Sequence, residues 1–293
     1  MGPQLMRLSG AAIGPDAVLV WTGARELTRF ERSGGRASFT LPVTPLASQI
    51  GPDGVRVVDE RGTIHLYSHA GQPRNVVALA ESPGVVKQAA LSADGRWLAL
   101  LTDEIQMFEH GVWQPWDFDE RRAGYRELGV DLSANGRYVL SHYKTTATGS
   151  EVALGDESEG FVISERDGTR VYRHMQRELP PLDVALAPDG RWVAICADDV
   201  RIYVDEIESM RRVFQLEPLE HVQRFGFSDR LFGVLYDYRL VLRDIAAERE
   251  ARLELPEQFE HLVLCDHDVV VVHPELGAWW IPLASVAFTA AAG

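Results

Sequence analysis

The chain has 293 residues, of which 46% are hydrophobic and 25% charged, so it can bury a core and a wholly disordered chain is excluded. Lys and Arg number 29 and Asp and Glu 43, and the formal net charge of −14 disfavours nucleic acid or an anionic membrane as a partner. No apolar run has the length of a signal peptide or a membrane span, so we expect a cytoplasmic protein.

A short segment recurs seven times along the chain. Its clearest copy is Leu91–Trp97, in which an apolar residue and Ser-Ala precede Asp-Gly-Arg and an aromatic residue. The apolar anchors are 37, 41, 41, 54, 41 and 37 residues apart. They are Ile13, Ile50, Leu91, Leu132, Leu186, Phe227 and Leu264. A period near forty with four strand-like runs in each unit is typical of a β-propeller.

The repeats therefore predict an all-β fold, a seven-bladed β-propeller of four-stranded antiparallel blades. We expect one domain over residues 1–293, with blades starting near residues 5, 43, 84, 124, 181, 221 and 259. In each blade, strands a to d run outward from the central channel, and the Asp-Gly or Asn-Gly pair forms the a–b turn. The b strands, such as Trp97–Leu101, are continuous apolar runs, which indicates that both of their faces are covered. Cys196 and Cys265 fall in blades five and seven, too far apart for a disulfide.

Two parts of the chain depart from the regular repeat. Blade four gains its extra length between strands b and c, at Lys144–Glu159, a segment rich in Thr, Gly, Ser and acids that we predict to be a surface loop. The b–c and d–a connections share one face of a propeller, here called the b–c face, and the a–b and c–d turns share the other. For ring closure we expect residues 285–289 to be the outer strand of blade seven, with Gln4–Arg7 as the alternative.

The repeated segment, apolar-Ser/Ala-x-Asp-Gly-Arg-aromatic-apolar, resembles the strand a to strand b junction of the WD40 and TolB-like propeller superfamily. The resemblance covers essentially the whole chain. The Trp-Asp pair that ends WD40 c strands and the Gly-His signature are missing, because the one Trp-Asp here, Trp116-Asp117, follows a d strand. The chain is therefore similar to a degenerate WD40-like propeller. The resemblance implies a scaffold for protein contacts on the b–c face.

Acidic and aromatic residues are concentrated in the connections expected on the b–c face. Placed around one rim, they would form a negative surface with aromatic anchors, which suits a basic protein or peptide. The alternative is that these loops are acidic only because the whole chain is acidic. The candidate partner-binding residues are Trp116, Phe118, Asp119, Lys144, Asp156, Glu157, Asp198, Asp199, Tyr236 and Tyr238.

Other functions have less support in the sequence. We find no Gly-x-Ser-x-Gly elbow, calcium loop or glycine-rich phosphate loop, and we predict no catalytic residue, cofactor or metal. The metal-type residues are His261, Cys265, Asp266 and His267, but a strand sends alternate residues to opposite faces, so a tetrahedral site would need ligands from elsewhere in the chain. The alternative of an enzyme or small-ligand binder with its site at the channel mouth is not excluded by the sequence. Its candidate residues are Gln88, Asp131, Asp183 and Arg224.

Aromatic residues raise two further questions. Trp97, Tyr138 and Trp192 share one repeat position, and we expect them to pack between blades rather than to form a binding ring. An exposed apolar patch around Trp279-Trp280 would instead favour a structural subunit of a larger assembly. The sequence leaves the identity of the partner and the oligomeric state open.

Overall fold

The computed structural model describes residues 10–80, 83–116, 125–145, 159–176, 181–197, 201–216, 221–265 and 267–291. In this part of the chain the regular structure is β-strand, apart from the 3₁₀ turn at Leu283–Ser285, and the all-β prediction is confirmed. Within these ranges no helix is long and apolar enough to cross a membrane.

The strands follow the chain in seven consecutive groups. The first four groups are β1 (Ala11–Gly14), β2 (Ala17–Trp21), β3 (Glu26–Glu31), β4 (Arg36–Thr40); β5 (Ala47–Gly51), β6 (Gly54–Val58), β7 (Ile64–Tyr67), β8 (Pro73–Val77); β9 (Gln88–Leu91), β10 (Trp97–Leu101), β11 (Ile105–Glu109), β12 (Val112–Gln114); and β13 (Tyr125–Leu132), β14 (Tyr138–Thr145), β15 (Glu159–Glu165), β16 (Arg170–Gln176). The last three are β17 (Pro181–Leu186), β18 (Trp192–Ala197), β19 (Arg201–Glu206), β20 (Arg211–Leu216); β21 (Val222–Phe227), β22 (Leu231–Tyr236), β23 (Arg239–Asp244), β24 (Arg249–Glu254); and β25 (His261–Leu264), β26 (Asp268–His273), β27 (Gly277–Pro282), followed by β28 (Thr289–Ala290).

Each group is one antiparallel blade, and the seven blades form a ring, as predicted. The innermost strands are β1, β5, β9, β13, β17, β21 and β25, and the ring closes where β1 contacts β25 and β3 contacts β27. In blade four the pairing of Lys144 with Glu159 extends the b–c hairpin, so the connection itself is shorter than predicted.

The b strands hold neighbouring blades together. On β10, Leu98 and Leu100 pack against blade two, whereas Trp97, Ala99 and Leu101 pack against blade four. This division follows from the two-residue period of a strand, which sends alternate side chains to opposite faces. Because both faces are covered, the b strands can be apolar throughout. Each of the seven blade interfaces contains its own buried apolar cluster.

The interface between blades seven and one closes the ring. Val18 and Val20 of β2 pack against Val270 and Val272 of β26 in a buried apolar cluster. The guanidinium group of Arg32 donates a hydrogen bond to Asp268 Oδ1 at 2.7 Å and lies 5.1 Å from the centre of the Trp280 ring.

The predicted outer strand of blade seven is wrong. Thr289 and Ala290 form β28, which pairs with Glu250 and Arg249 of β24 and becomes a fifth strand of blade six. The residue before β28 accounts for this course, because Phe288 packs on the apolar cluster between blades six and seven and beneath the Arg249 guanidinium. Blade seven therefore has three strands among the described residues. The alternative strand Gln4–Arg7 lies outside them.

The a–b turns show why the repeat has its particular residues. The amide of Trp97 donates to Ser92 Oγ at 2.9 Å, and Ser92 Oγ donates to Asp94 Oδ1 at 2.6 Å. Asp94 Oδ1 also accepts the amide hydrogen of Arg96 at 2.9 Å. Burial raises the pKa of Asp94, but these hydrogen bonds outweigh it and hold the pKa below its ordinary value. The Ser133–Tyr138 turn repeats the pattern.

The repeated aromatic residues pack between blades, as their shared repeat position predicts. Trp97 and Tyr138 are buried, and each lies beneath the turn glycine of the next blade. A methyl group on Gly136 would lie 2.6 Å from Trp97 Cδ1, and one on Gly190 would lie 2.6 Å from Tyr138 Cδ2. The turn glycines are therefore needed for packing as well as for their positive φ.

The Arg of the repeat completes this packing on the face that carries the a–b and c–d turns, here called the turn face. Arg191 lies 4.4 Å from the centre of the Trp192 ring, and its Nε donates to Glu206 at 3.2 Å. Glu206 is the residue that pairs with Trp192 on the adjacent strand. Equivalent Arg–aromatic–Glu groups occur at Arg96, Trp97 and Glu109, and at Arg137, Tyr138 and Glu165.

Gly136→Ala tests the packing of the turns. Gly136 has a φ of 65°, so we expect the methyl group to cost about 1–2 kcal/mol for the left-handed backbone and a further ~1–3 kcal/mol for displacing Trp97. Gly34→Ala is the matched control, because Gly34 has a φ of 92° with nothing within 4 Å of the added methyl. Urea unfolding should show a larger loss for Gly136→Ala than for Gly34→Ala, and equal losses would contradict the predicted clash.

Two histidines make the stability of the fold depend on pH. Burial lowers the pKa of His142 and of His261 to about 4, and the cationic Arg224 adds to the effect at His261. The folded protein therefore keeps both rings neutral, while the unfolded chain takes up protons below its pKa of about 6.5. Their contribution to stability is complete above pH 6.5 and is lost as the pH falls towards 4.

His261→Gln should flatten this pH dependence. Between pH 6 and 5 we expect the free energy of unfolding of the unmodified protein to fall by about 1 kcal/mol for each histidine, and the variant to lose one of these contributions. His142→Gln should remove the other, and the double variant both. Urea unfolding at several pH values measures the slopes, and an unchanged slope for His261→Gln would show that this ring is not buried in its neutral form.

Candidate partner-binding face

The described connections of the b–c face are strongly acidic. Antiparallel order within each blade places residues 22–25, 59–63, 102–104, 237–238 and 274–276 on this face, together with the d–a connections. These connections contain eight acidic residues and only three Lys or Arg residues, so the face is negative. The acids are Asp59, Glu60, Asp103, Glu104, Asp237, Glu257, Glu260 and Glu275, and the bases are Arg25, Arg61 and Lys87.

The opposite face is more nearly neutral, because its turns contain six arginines that offset their acids. The arginines are Arg32, Arg96, Arg137, Arg166, Arg191 and Arg230. Most of them form ion pairs, such as Arg230 with Asp244 at 3.0 Å and Arg137 with Glu165 at 2.9 Å. Among the described connections, those of the b–c face are therefore the more negative.

The structure separates the predicted partner-binding residues into three groups. Tyr238 is 55% exposed on the b–c face, where a partner can reach it. Trp116 and Tyr236, expected as surface anchors, are instead 6% and 5% exposed. They pack between blades three and four and between blades five and six, and Tyr236 is buried because it shares the face of β22 that Phe232 and Val234 turn toward blade five.

The backbone of Lys144 lies near the end of β14, opposite Glu159 on β15. The remaining candidates, Phe118, Asp119, Asp156, Glu157, Asp198 and Asp199, lie outside the described residues. Their partner-binding roles stay predictions.

A hydrogen-bonded clamp that the sequence analysis missed fixes the connection around Tyr238. Asp237 Oδ1 accepts hydrogen bonds from Gln223 Nε2 at 2.6 Å and from Gln258 Nε2 at 2.9 Å. The clamp thus joins the b–c connection of blade six to β21 and to the d–a connection that leads to blade seven. No sequence signal marks it, because the three residues are 14 and 21 positions apart and meet only in the folded ring.

The b–c connection of blade two is also organised by a carboxylate. Asp59 Oδ1 accepts the amide hydrogens of Arg61 and Thr63, both at 2.9 Å, and Asp59 Oδ2 lies 2.9 Å from His65 Nε2. Burial raises the pKa of Asp59, but the hydrogen bonds to His65 and to the two amides lower it by a larger amount, so the pKa stays below its ordinary value. Asp59 and His65 thus hold the connection in a tight turn, and the Asp59 carboxylate is hydrogen-bonded within the protein.

The four channel-mouth candidates make hydrogen bonds within the chain, and one of them borders a small cavity. A cavity of about 180 Å³ is lined by parts of β5, β9, β13 and β17, and of the four channel-mouth candidates only Asp131 borders it. Asp131 and Asp183 each accept the amide hydrogen of the following residue. Gln88 accepts that of Val130 at 3.2 Å, and Arg224 donates to the Gln223 carbonyl. Within the described ranges, no group of three or more His, Cys, Asp or Glu side chains could hold a metal ion.

Comparison with known proteins identifies the fold but no family. No protein-family model matches the chain, and no curated protein matches it. Among solved structures, the hydrazine synthase of Kuenenia stuttgartiensis is similar, with a TM-score of 0.61 and 12% identity over 95% of this chain and 96% of that one. A chain in the crystal structure of the mitotic checkpoint complex is similar too, with a TM-score of 0.61 and 11% identity over 97% of this chain and 88% of that one. At such identities the likeness shows the β-propeller fold alone.

Proposed function

We propose that the chain is a cytoplasmic, non-enzymatic interaction module that binds a partner protein on its b–c face. The observation that carries the proposal is the charge of that face, whose described connections contain eight acidic residues and three basic ones. An uneven charge distribution of this kind speeds association with an oppositely charged partner and excludes like-charged ones. The partner should therefore present a basic surface.

The difference between the contacts made on the two faces supports the same function. The turn face is occupied by the contacts that join blades, such as the hydrogen bond from Asn135 Nδ2 to the Asp189 carbonyl at 3.0 Å. The b–c connections differ in length from blade to blade, as loops that carry binding sites commonly do. The longest of them, between Lys144 and Glu159, is where we place part of the contact surface.

The structural neighbours are compatible with this proposal. One of them belongs to the mitotic checkpoint complex, so a propeller of this size is found within a protein assembly. The hydrazine synthase neighbour keeps an enzymatic function as the competing outcome of the experiment below.

The experiment blocks one face of the ring at a time. After Cys196 and Cys265 are replaced by Ser, a single cysteine is introduced at Glu60 on the b–c face or at Asp229 on the turn face, and each is coupled to a bulky maleimide polymer. We expect partner capture from the native lysate to be lost when Glu60→Cys is modified and kept when Asp229→Cys is modified. A third variant, with Lys144–Glu159 replaced by a short Gly-Ser turn, should weaken capture.

The unmodified cysteine variants control for folding, since both should capture the partner as the parent does. Loss of capture only on modification of Asp229→Cys would place the interface on the turn face and contradict the proposal. If no variant captures a protein while a small molecule raises the melting temperature, the interaction module is wrong and a channel-mouth ligand site replaces it.

A further inference from the structure

We propose that the centre of the partner contact is the surface where blades six and seven meet on the b–c face, and that it binds a Lys or Arg side chain of the partner. This surface, here called the blade six–seven surface, comprises residues 237–238, 255–260 and 274–276. The inference rests on the proposed function and specifies both where the partner binds and which of its side chains is recognised.

The blade six–seven surface has the composition expected of a site for a cation. It contains Asp237, Glu257, Glu260 and Glu275 and no Lys or Arg. The amides of Gln223 and Gln258 already engage Asp237, which leaves the three exposed glutamates to face a partner. Tyr238 adds an exposed aromatic ring to the same surface, and such a ring attracts a cation over its face.

The turn face already contains arginines that are each held by an aromatic ring and a carboxylate. On the turn face, Arg191 stacks on Trp192 and pairs with Glu206, and the same grouping recurs twice more. Each of these aromatic rings next to a carboxylate carries an arginine from its own chain. Within the described residues no Lys or Arg lies over the ring of Tyr238. An arginine or lysine of the partner would complete at Tyr238 the grouping that the chain completes internally elsewhere.

Hydrogen bonds and buried packing fix the conformation of the blade six–seven surface in the absence of a partner. The amide of Leu255 donates to the Tyr238 carbonyl at 2.8 Å, and the amide of Glu260 donates to the Val272 carbonyl at 3.0 Å. Between them, Phe259 is buried in the interface of blades six and seven. These contacts and the Asp237 clamp fix both connections to strands, so little conformational entropy is lost when a partner binds.

Apolar side chains beside the glutamates define the rest of the partner's chemistry. Leu276 is 66% exposed, and Trp279 is 41% exposed with its ring centre 6.1 Å from that of Phe259. Exposed apolar side chains rimmed by charge are typical of the centre of a protein contact. We therefore expect the recognised segment to carry an apolar residue close to its Lys or Arg.

A library of random 12-residue peptides displayed on phage tests the inference directly. Selection against the whole protein should enrich peptides that carry Lys or Arg beside apolar residues. For these peptides, Tyr238→Ala and the double variant Glu257→Lys/Glu260→Lys should each weaken binding at least tenfold. The double variant Glu60→Lys/Asp103→Lys is the matched control, because it makes the same change of charge on the same face in blades two and three. It alters only the general charge of the face, so it should weaken binding several-fold less than Glu257→Lys/Glu260→Lys.

Each other result overturns a different part of the account. Enrichment of peptides without Lys or Arg, or no enrichment at all, would overturn the recognition of a basic side chain. Equal weakening by the two double variants would overturn the location at blades six and seven and leave only the general charge of the face. Neither result contradicts the proposed function, which is tested separately by the face-blocking experiment. Circular dichroism of each variant establishes that the fold is retained.

Discussion

The fold depends on the packing of alternate b-strand side chains against both neighbouring blades. On β26, Val269 and Val271 face blade six, while Val270 and Val272 face blade one. A strand that is apolar on both faces cannot leave either face in water, because each exposed valine gives up roughly 1.5–3 kcal/mol of burial energy. Every blade therefore needs two neighbours, and this requirement is met for all seven only when the ring is closed.

Packing of this kind explains why the two faces of the ring differ. The turn face carries contacts that set the spacing of blades, with the Gly136 turn seated on Trp97 and Arg191 bridging Trp192 and Glu206. The connections of the b–c face differ from blade to blade in length and charge. Asp59 and Asp237 organise connections there, and we attribute the remaining exposed acids of that face to a basic partner.

Local signals in the sequence predicted the elements well, and contacts between distant residues were the ones it missed. The repeat placed the start of blade four near residue 124, and β13 begins at Tyr125. The Asp-Gly pairs located the a–b turns, because backbone conformation at a turn depends on a few adjacent residues. The pairing of β28 with β24 and the clamp on Asp237 join residues far apart in the chain, and no periodicity reports them. Trp116 was misjudged because an aromatic residue beside a loop serves equally as anchor or as core.

Hydrogen exchange of Val270→Ala would test the central claim, that each blade is stable only within the closed ring. Val270 is fully buried between blades seven and one, and its truncation should cost about 2 kcal/mol. If the ring is one cooperative unit, the slowest amides of β14 in blade four, on the far side of the ring, should lose as much protection as those of β2 and β26. Loss of protection confined to β2 and β26 would show that the blades unfold separately and would contradict the account.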